Sequence, residues 1–355
     1  IYFQKELEFN KQFFYQVTGT LADFAVAVSV ALVFKSIWAL VFGFLAGNII
    51  RLFVSYLIHP YRPRLSFDSG KVKELFGFGK WILGSSILIF LITQGDGIFV
   101  GKLLGVTLLG FYQMAYRFSN APATEIAHVI SQVTFPAYSK LQDNLPGLRK
   151  AYLKTLQFTA FISVPLTGGI IILAPEFTSI FLGEKWMPIV PVMQVLALWG
   201  AIRSMGSTAI IFRSIGKPRI ITILQVARLI LMAAIIYPLS IKWGILGTSL
   251  AVLLSILPIE PFTIYLIIKI TQCRARVFGK QVILPVLGTL VMCGALLALK
   301  YLLLDNVGVF SFFALVAIGV ITYAGMTVLL DRLLGYNMTA NIKESLGLLY
   351  KKVAK

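Results

Sequence analysis

Acid is what this chain has least of: its 355 residues hold 14 Asp and Glu against 32 Lys and Arg. It has two histidines, His59 and His128, and two cysteines, Cys273 and Cys293. The histidines stand far apart with no acid-rich cluster beside them, so metal-ligand spacing is absent and no resident cofactor is expected. One cysteine falls in a charged connection and the other in an apolar run, which argues against a disulfide between them. Charged residues make up 13% of the chain, where a soluble domain carries about 25%. The opening "IYFQKELEFN" is amphipathic and charged rather than a basic, apolar export signal. It has no initiator Met and is expected to be native sequence whose beginning lies upstream.

Apolar residues, by contrast, make up 58% of the chain, and the mean hydropathy is +0.87. Ten stretches reach the length of about 20 mostly apolar residues that a membrane helix needs. They are 13–34, 36–58, 75–96, 106–136, 151–174, 188–212, 217–238, 244–269, 282–303 and 309–330. An all-α polytopic membrane protein with ten transmembrane helices is expected. A β-barrel would show alternating segments of about ten residues instead. The stretch 106–136 is the most polar, and Pro122 interrupts it.

The net charge of +18 suggests nucleic acid, but its distribution excludes that partner. If every stretch crosses once, 23 Lys and Arg fall on one side and only Lys35, Lys102, Lys185, Lys242 and Lys300 on the other. That bias follows the positive-inside rule and puts both chain ends in the cytoplasm. The excess charge is topological, with some attraction to anionic lipid. Glycine motifs give no nucleotide site either. In "QGDGIFVGKLLG" (94–105) Leu103 stands where a phosphate loop needs Ser or Thr for magnesium. The apolar run before Gly95 is also too long for the strand of a dinucleotide turn.

Two cytoplasmic links stand out, "HPYRPRLSFDSGKVK" (59–73) and "SKLQDNLPGLRK" (139–150). Pro60, Pro63 and Gly70 make the first a divider, and a second break follows at "TQCRARVFGK". In the tail from Asp331 to Lys355, Ile342, Leu346, Leu349 and Val353 recur at helical spacing. A cytoplasmic helix lying on the membrane surface fits that pattern, as does a frayed tail. Outer connections are all short, so an active site outside the membrane has no room.

Charges within the stretches are the informative ones, since each costs about 2.5–3.5 kcal/mol at the bilayer centre on the insertion scale. Arg51 is within snorkelling reach of the cytoplasm and reads as structural. Arg203 and Arg228 are too deep for that. Ser207 follows Arg203 by one turn, and Thr222, Gln225 and Arg228 recur every three residues, so both arginines read as cavity residues. Gln113, Arg117, Asn120, Thr124, His128 and Ser131 recur at intervals of three and four, one polar face that wants water or a polar ligand. Pro122 predicts a kink beside it, and His128 reads as a satisfied interior histidine. Among the acids, Glu260 lies in "LPIEP", which suits an ion site at a broken helix. Asp23 follows Thr20 and Gln16 at helical spacing. Each is either an ion-coupling group, with proton and sodium both open, or the counter-charge of a deep arginine; Glu125 points off the polar face. Asp96 and Arg117 fall at similar depth, so a pair across their hairpin is expected, acting as gate or hinge.

The block "DGIFVGKLLGVTLLGFYQMAYRFSNAPATEIAHVISQVTFPAYSKLQ" (96–142) joins an Asp, spaced glycines at Gly101, Gly105 and Gly110, Tyr112, Pro122 and "FPAYSKLQ". With "FLGEKW" (181–186), "GKPR" (216–219), "YFQKELEFNKQ" and "PYRPRLSFD", it resembles the Wzx-type polysaccharide flippases of the multidrug/oligosaccharidyl-lipid/polysaccharide superfamily. The resemblance implies two six-helix lobes around a central cavity plus two further helices, fourteen in all, with the first four absent here. On that plan 1–58 is a remnant of the first lobe and 59–74 a cytoplasmic linker. Residues 75–272 are the second lobe, 273–330 two additional helices and 331–355 a basic amphipathic tail. The implied function is transfer of undecaprenyl-diphosphate-linked oligosaccharide from the cytoplasmic to the outer leaflet of a bacterial inner membrane, by alternating access and without catalysis. Membrane lipids and polysaccharide polymerase or export machinery are the implied partners. Arg117, Arg203, Arg228, Gln113, Asn120 and Thr124 become candidates for the headgroup, where arginine matches phosphate oxygens. Asp23, Asp96 and Glu260 become candidates for ion coupling or gating.

Three other readings compete. A multidrug exporter of the same fold carries cations and wants acids and aromatics in its cavity. A lipid-linked peptidoglycan-precursor flippase suits the same cationic pockets. A membrane polymerase or ligase acting on lipid-linked glycan needs external chemistry that the short outer connections do not house.

Overall fold

A chain in lipid has no water to bond its backbone N–H and C=O groups and must satisfy them within each segment. Every regular element described is accordingly helical. The structure, a computed structural model, describes residues 8–36, 38–59, 69–205, 208–303, 308–336, 338 and 341. Side chains at 69, 71–75, 78, 121–129, 131–133, 208–209 and 302–303 lie outside the description. In chain order the helices are α1 (Phe9–Phe34), α2 (Trp38–Ile58), α3 (Ser69–Leu103), α4 (Val106–Lys140), α5 (Leu145–Phe177), α6 (Val190–Met205), α7 (Thr208–Ser214), α8 (Pro218–Ile256), α9 (Ile259–Thr271), α10 (Ala275–Leu303) and α11 (Val309–Leu334).

Among the described residues, eight helical stretches are long and apolar enough to cross a membrane. Two of the ten expected stretches do not stand among them as separate spans. α4 has 35 residues, ample length, but carries too many polar residues to qualify on hydropathy. The stretches 217–238 and 244–269 fall together in Pro218–Thr271, a run of 54 residues. A straight helix of that length would extend about 80 Å, against a hydrocarbon core of about 30 Å. The chain reverses instead. Gly244 has φ 58 and ψ −136, and the Ser240 and Thr248 hydroxyls hydrogen-bond at 2.8 Å. A straight helix would hold residues eight apart at about 12 Å. Gly247 lies so close to the Leu239 carbonyl that a Cβ would sit 1.9 Å from its oxygen. The returning arm is broken again at Leu257–Pro258, between α8 and α9, as "LPIEP" predicts.

The chain divides into two compact units, 1–76 and 77–355. In the first, α1 and α2 form a hairpin packed on small residues. A Cβ on Gly47 would lie 2.8 Å from the Gly19 carbonyl, and one on Gly43 2.7 Å from Ala27 Cβ. Arg51 packs over Gly19 and reaches the Asn48 and Thr20 side chains, each at 3.4 Å. It thus bonds across the hairpin within the protein rather than snorkelling toward water.

In the second unit, reversals at 103–106, 177–190 and Gly244 alternate with those at 140–145, 214–218 and 271–275, an up-and-down bundle. One cluster of buried side chains gathers around Trp199, Tyr112, Leu196 and Val192, and another around Tyr138, Tyr152, Phe212 and Ile267. α10 crosses α5 closely at Gly168, and Lys300 of α10 is ion-paired with Glu176 of α5. After α11 the chain turns at Gly335, and Tyr336 and Met338 are buried. Gln157 donates to the Tyr336 carbonyl at 2.8 Å, so this start of the tail docks on α5. Ile342, Leu346, Leu349 and Val353 lie outside the described residues.

Gly168 and Gly169 offer a matched test of the α5–α10 crossing. A Cβ at 168 would meet Thr289 Cγ2 at 2.5 Å and Cys293 Sγ at 2.8 Å, whereas one at 169 meets nothing within 4 Å. Gly168→Ala is expected to destabilise by about 1–3 kcal/mol, and Gly169→Ala to be neutral or mildly stabilising. Unfolding of the purified proteins in detergent checks this; equal effects at the two positions would contradict the packing.

Candidate functional site

The deep arginines of α6 and α8 meet on one indole. Trp199 of α6 is fully buried. Arg203, one turn along, holds its guanidinium 5.1 Å from the ring centroid, and Arg228 of α8 approaches the same ring at 5.6 Å. Tyr116 of α4 packs against Trp199 with centroids 5.6 Å apart, and Arg203 and Asn120 lie beside its hydroxyl. A cation within about 6 Å of an indole is held by the ring quadrupole, by about 2 kcal/mol when desolvated. Two guanidiniums on one ring also repel each other, and a nearby anion relieves that repulsion.

Their hydrogen bonding is incomplete. Arg228 is 6% exposed, and its Nε and Nη2 have no hydrogen-bond partner. Trp199 Nε1, Asn120 Oδ1 and Gln225 Oε1 are buried and unpartnered too. Each unpaired buried polar group costs about 1–3 kcal/mol, more when charged. The cluster is therefore one that water or a polar ligand completes, and its charge favours an anion rich in oxygens.

Glu260 enters from the first turn of α9, just past Leu257–Pro258, where the helix is interrupted while both residues keep helical φ and ψ. With Gln225, Arg228 and Thr263 it lines a cavity of about 40 Å³, more than the roughly 10–15 Å³ that one water needs on the same measure. Arg228 and Glu260 share that cavity without closing to an ion pair. A carboxylate in a helix's first turn is favoured by the backbone dipole, so local structure supports Glu260 where it stands.

Asp96 corrects the hairpin expectation. It is 2% exposed and accepts hydrogen bonds from the Tyr112 hydroxyl and the Gly97 amide, each at 2.7 Å. Arg117 is exposed and does not pair with it. The reason is helical geometry: Tyr112 and Arg117, five residues apart, stand about 140° apart around α4, so the face meeting α3 carries the tyrosine. Gly97 and Gly101 do pack toward α4, with Cβ positions 3.4 Å from Gln113 Nε2 and 3.1 Å from Leu109.

The structure thus brings Arg203, Arg228, Asn120 and Glu260 into one region of the second unit. Gln113, beside Gly97 of α3, and Arg117 are exposed and outside that region, while Thr124, Glu125, His128 and Ser131 have side chains outside the description. Asp23 belongs to the first unit, half-buried against Gly43. Sequence reasoning missed Tyr112, Tyr116 and Trp199, which are apolar enough to pass as core. Two signals were available: Tyr112, Tyr116 and Asn120 are each four apart, as are Trp199 and Arg203.

Comparison with known proteins adds a family. A family model described as "Polysaccharide biosynthesis protein" matches residues 1–191. The chain is 32% identical over 206 residues to the lipopolysaccharide biosynthesis protein WzxC of Escherichia coli, covering 58% of this chain and 42% of that protein. It is 27% identical over 202 residues to the teichuronic acid biosynthesis protein TuaB of Bacillus subtilis (56% and 42% covered). With the succinoglycan biosynthesis transport protein ExoT of Rhizobium meliloti it shares 26% over 206 residues (58% and 42%). The chain spans less than half the length of these relatives. Among solved structures it is similar to the lipid II flippase MurJ in an inward closed conformation, with a TM-score of 0.69 and 16% identity over 92% of this chain and 69% of that one. That likeness speaks for the fold.

The Asp96 assignment is open to a double-mutant cycle in the purified protein. Tyr112→Phe is expected to cost about 1–3 kcal/mol, and much of that cost should disappear on an Asp96→Asn background. Arg117→Gln and Asp96→Asn should act additively. Coupling between 96 and 117 as large as that between 96 and 112 would restore the hairpin pair.

Proposed function

This chain belongs to the polysaccharide biosynthesis protein family, and from that premise we propose that it acts in a flippase for lipid-linked oligosaccharide. Its substrate is a polyprenyl-diphosphate-linked oligosaccharide, moved from the cytoplasmic to the outer leaflet of a bacterial inner membrane by alternating access. The observation that carries the reading is Arg228, buried with two unpartnered donor groups on the indole it shares with Arg203. A diphosphate offers that pair several anionic oxygens, and charge-assisted bonds to phosphate are arginine's strength.

The rest of the substrate finds matching surroundings. An apolar groove of about 540 Å³ runs between α5, α10 and α11, lined among others by Phe161, Leu166, Leu173, Phe312 and Val320, and suits a hydrocarbon chain. Glu260, across the small cavity from Arg228, is placed to take a proton or sodium ion when the headgroup leaves, with Asp23 as the other candidate. The reading counts α4 as a crossing and Pro218–Thr271 as two, ten in all. It takes both ends of the described bundle to face the cytoplasm, a reading that the positive-inside bias supports.

In the full-length protein, Arg203→Gln with Arg228→Gln is expected to slow leaflet transfer of a labelled lipid-linked oligosaccharide in vesicles about tenfold or more, the loss of at least one charge-assisted bond. Surface polysaccharide should fall in cells, with folded yield unchanged. Undiminished transfer would remove the arginines from the substrate path, and growth of the glycan chain in vesicles would mark a polymerase instead.

A further inference from the structure

The arrangement of cations on an indole occurs a second time, at the start of α8. Arg219 holds its guanidinium 5.4 Å from the centroid of Trp81 on α3, and Lys80 Nζ lies 5.8 Å from the same ring. One turn along α3, the fully buried Ser85 hydroxyl accepts from Arg213 Nη2 of α7 at 3.2 Å. Thr222 donates to the Trp81 carbonyl at 3.0 Å and fixes α8 against this turn of α3. Arg213 Nε is closed off from solvent with no partner. Among the described residues no carboxylate lies within ion-pairing distance of Lys80, Arg213 or Arg219.

Basic residues at a membrane edge are usually topological anchors that extend toward water. Lys80 and Arg219 are exposed and could be no more than that. Arg213 is not, because it points inward, spends one nitrogen on a buried serine and leaves another unsatisfied. Three cations converging on one helical turn, with no acid beside them among the described residues, repel one another, and an anion seated among them removes the repulsion.

We propose that Lys80, Arg213 and Arg219, gathered at Trp81, form a second anion site that receives the phosphate-bearing headgroup of the substrate before it reaches Arg203 and Arg228. This rests on the flippase reading above. The two sites are joined by one stripe of α8, for Arg219, Thr222, Gln225 and Arg228 recur every three residues. Each step of three drifts by about 60° around a helix, so the stripe winds from the side facing α3 to the side facing Trp199 and Glu260 while climbing about 13.5 Å. The cations run from exposed Arg219 and half-buried Arg213 of α7 at one end of that stripe to buried Arg228 at the other. A headgroup moving along that path exchanges water for guanidinium donors in stages. The phosphate of a bulk phospholipid offers the same chemistry to the outer site, and the test separates the two sources.

Native mass spectrometry of the full-length protein in neutral detergent, with added undecaprenyl diphosphate, undecaprenol or phosphatidylglycerol, reads both sites. Two undecaprenyl diphosphates are expected to bind the unaltered protein. Lys80→Gln with Arg219→Gln should lose one of them, Arg203→Gln with Arg228→Gln the other, and neither pair should change undecaprenol binding. Loss only in the Arg203/Arg228 variant would overturn the second site and leave the flippase reading standing. Unchanged binding in both variants would overturn both. A Lys80/Arg219 variant that loses phosphatidylglycerol while keeping both diphosphates would make this a bulk-lipid site and overturn its assignment to the substrate.

Discussion

Holding the Arg228 guanidinium away from water beside Trp199 imposes a demand that the surrounding helices meet only in part. The indole face attracts the cation, Glu260 stands across a cavity of about 40 Å³, and two of the arginine's nitrogens still lack partners. Completing those bonds with protein groups would have made the arginine a static strut. Opening the site fully to water would have removed its preference for one ligand over another. Partial satisfaction suits a site that must bind a charged headgroup and release it, because each exchange trades one incomplete set of bonds for another.

The position of that arginine depends on breaks in regular structure some distance away. Reversal at Gly244 sends α8 back on itself, and Gly247 lets the two arms touch at the Leu239 carbonyl. The returning arm breaks at Leu257–Pro258, which brings Glu260 to the mouth of the cavity. On the facing side, Asp96 fixes the Tyr112 hydroxyl, Tyr112 neighbours Tyr116 at 6.4 Å, and Tyr116 packs on Trp199. The glycine-flanked aspartate that resembles a nucleotide turn is thus the far end of an aromatic row leading to the arginines.

What the sequence made legible follows from what is local. Apolar length located nearly every helix, and the cost of a charge in lipid singled out Arg203, Arg228 and Glu260 before any contact was known. Proline placed the break beside Glu260 because it cannot continue the backbone ladder. The reversal at Gly244 and the inward face of α4 were harder to read. A glycine in an apolar run carries no sign of its φ, and α4 has polar residues on more than one face, so periodicity alone did not tell Tyr112 and Tyr116 from Gln113 and Arg117. The pairing of Lys300 with Glu176 joins residues 124 apart in sequence, and no local pattern encodes it.

The scarcity of acid explains why the arginine sites stay open. Fourteen carboxylates serve 32 lysines and arginines, and among the described residues those in the second unit's interior are already engaged or held apart. Glu176 is taken by Lys300, Asp96 by a tyrosine and a backbone amide, and Glu260 stops short of Arg228. A buried cation whose partner is missing from its own chain is expensive to keep. A structural arginine in such a place could be replaced by an apolar residue with a gain in stability. Under the function proposed above, the missing negative charge comes and goes, because the charge of a polyprenyl diphosphate would arrive with each transport cycle.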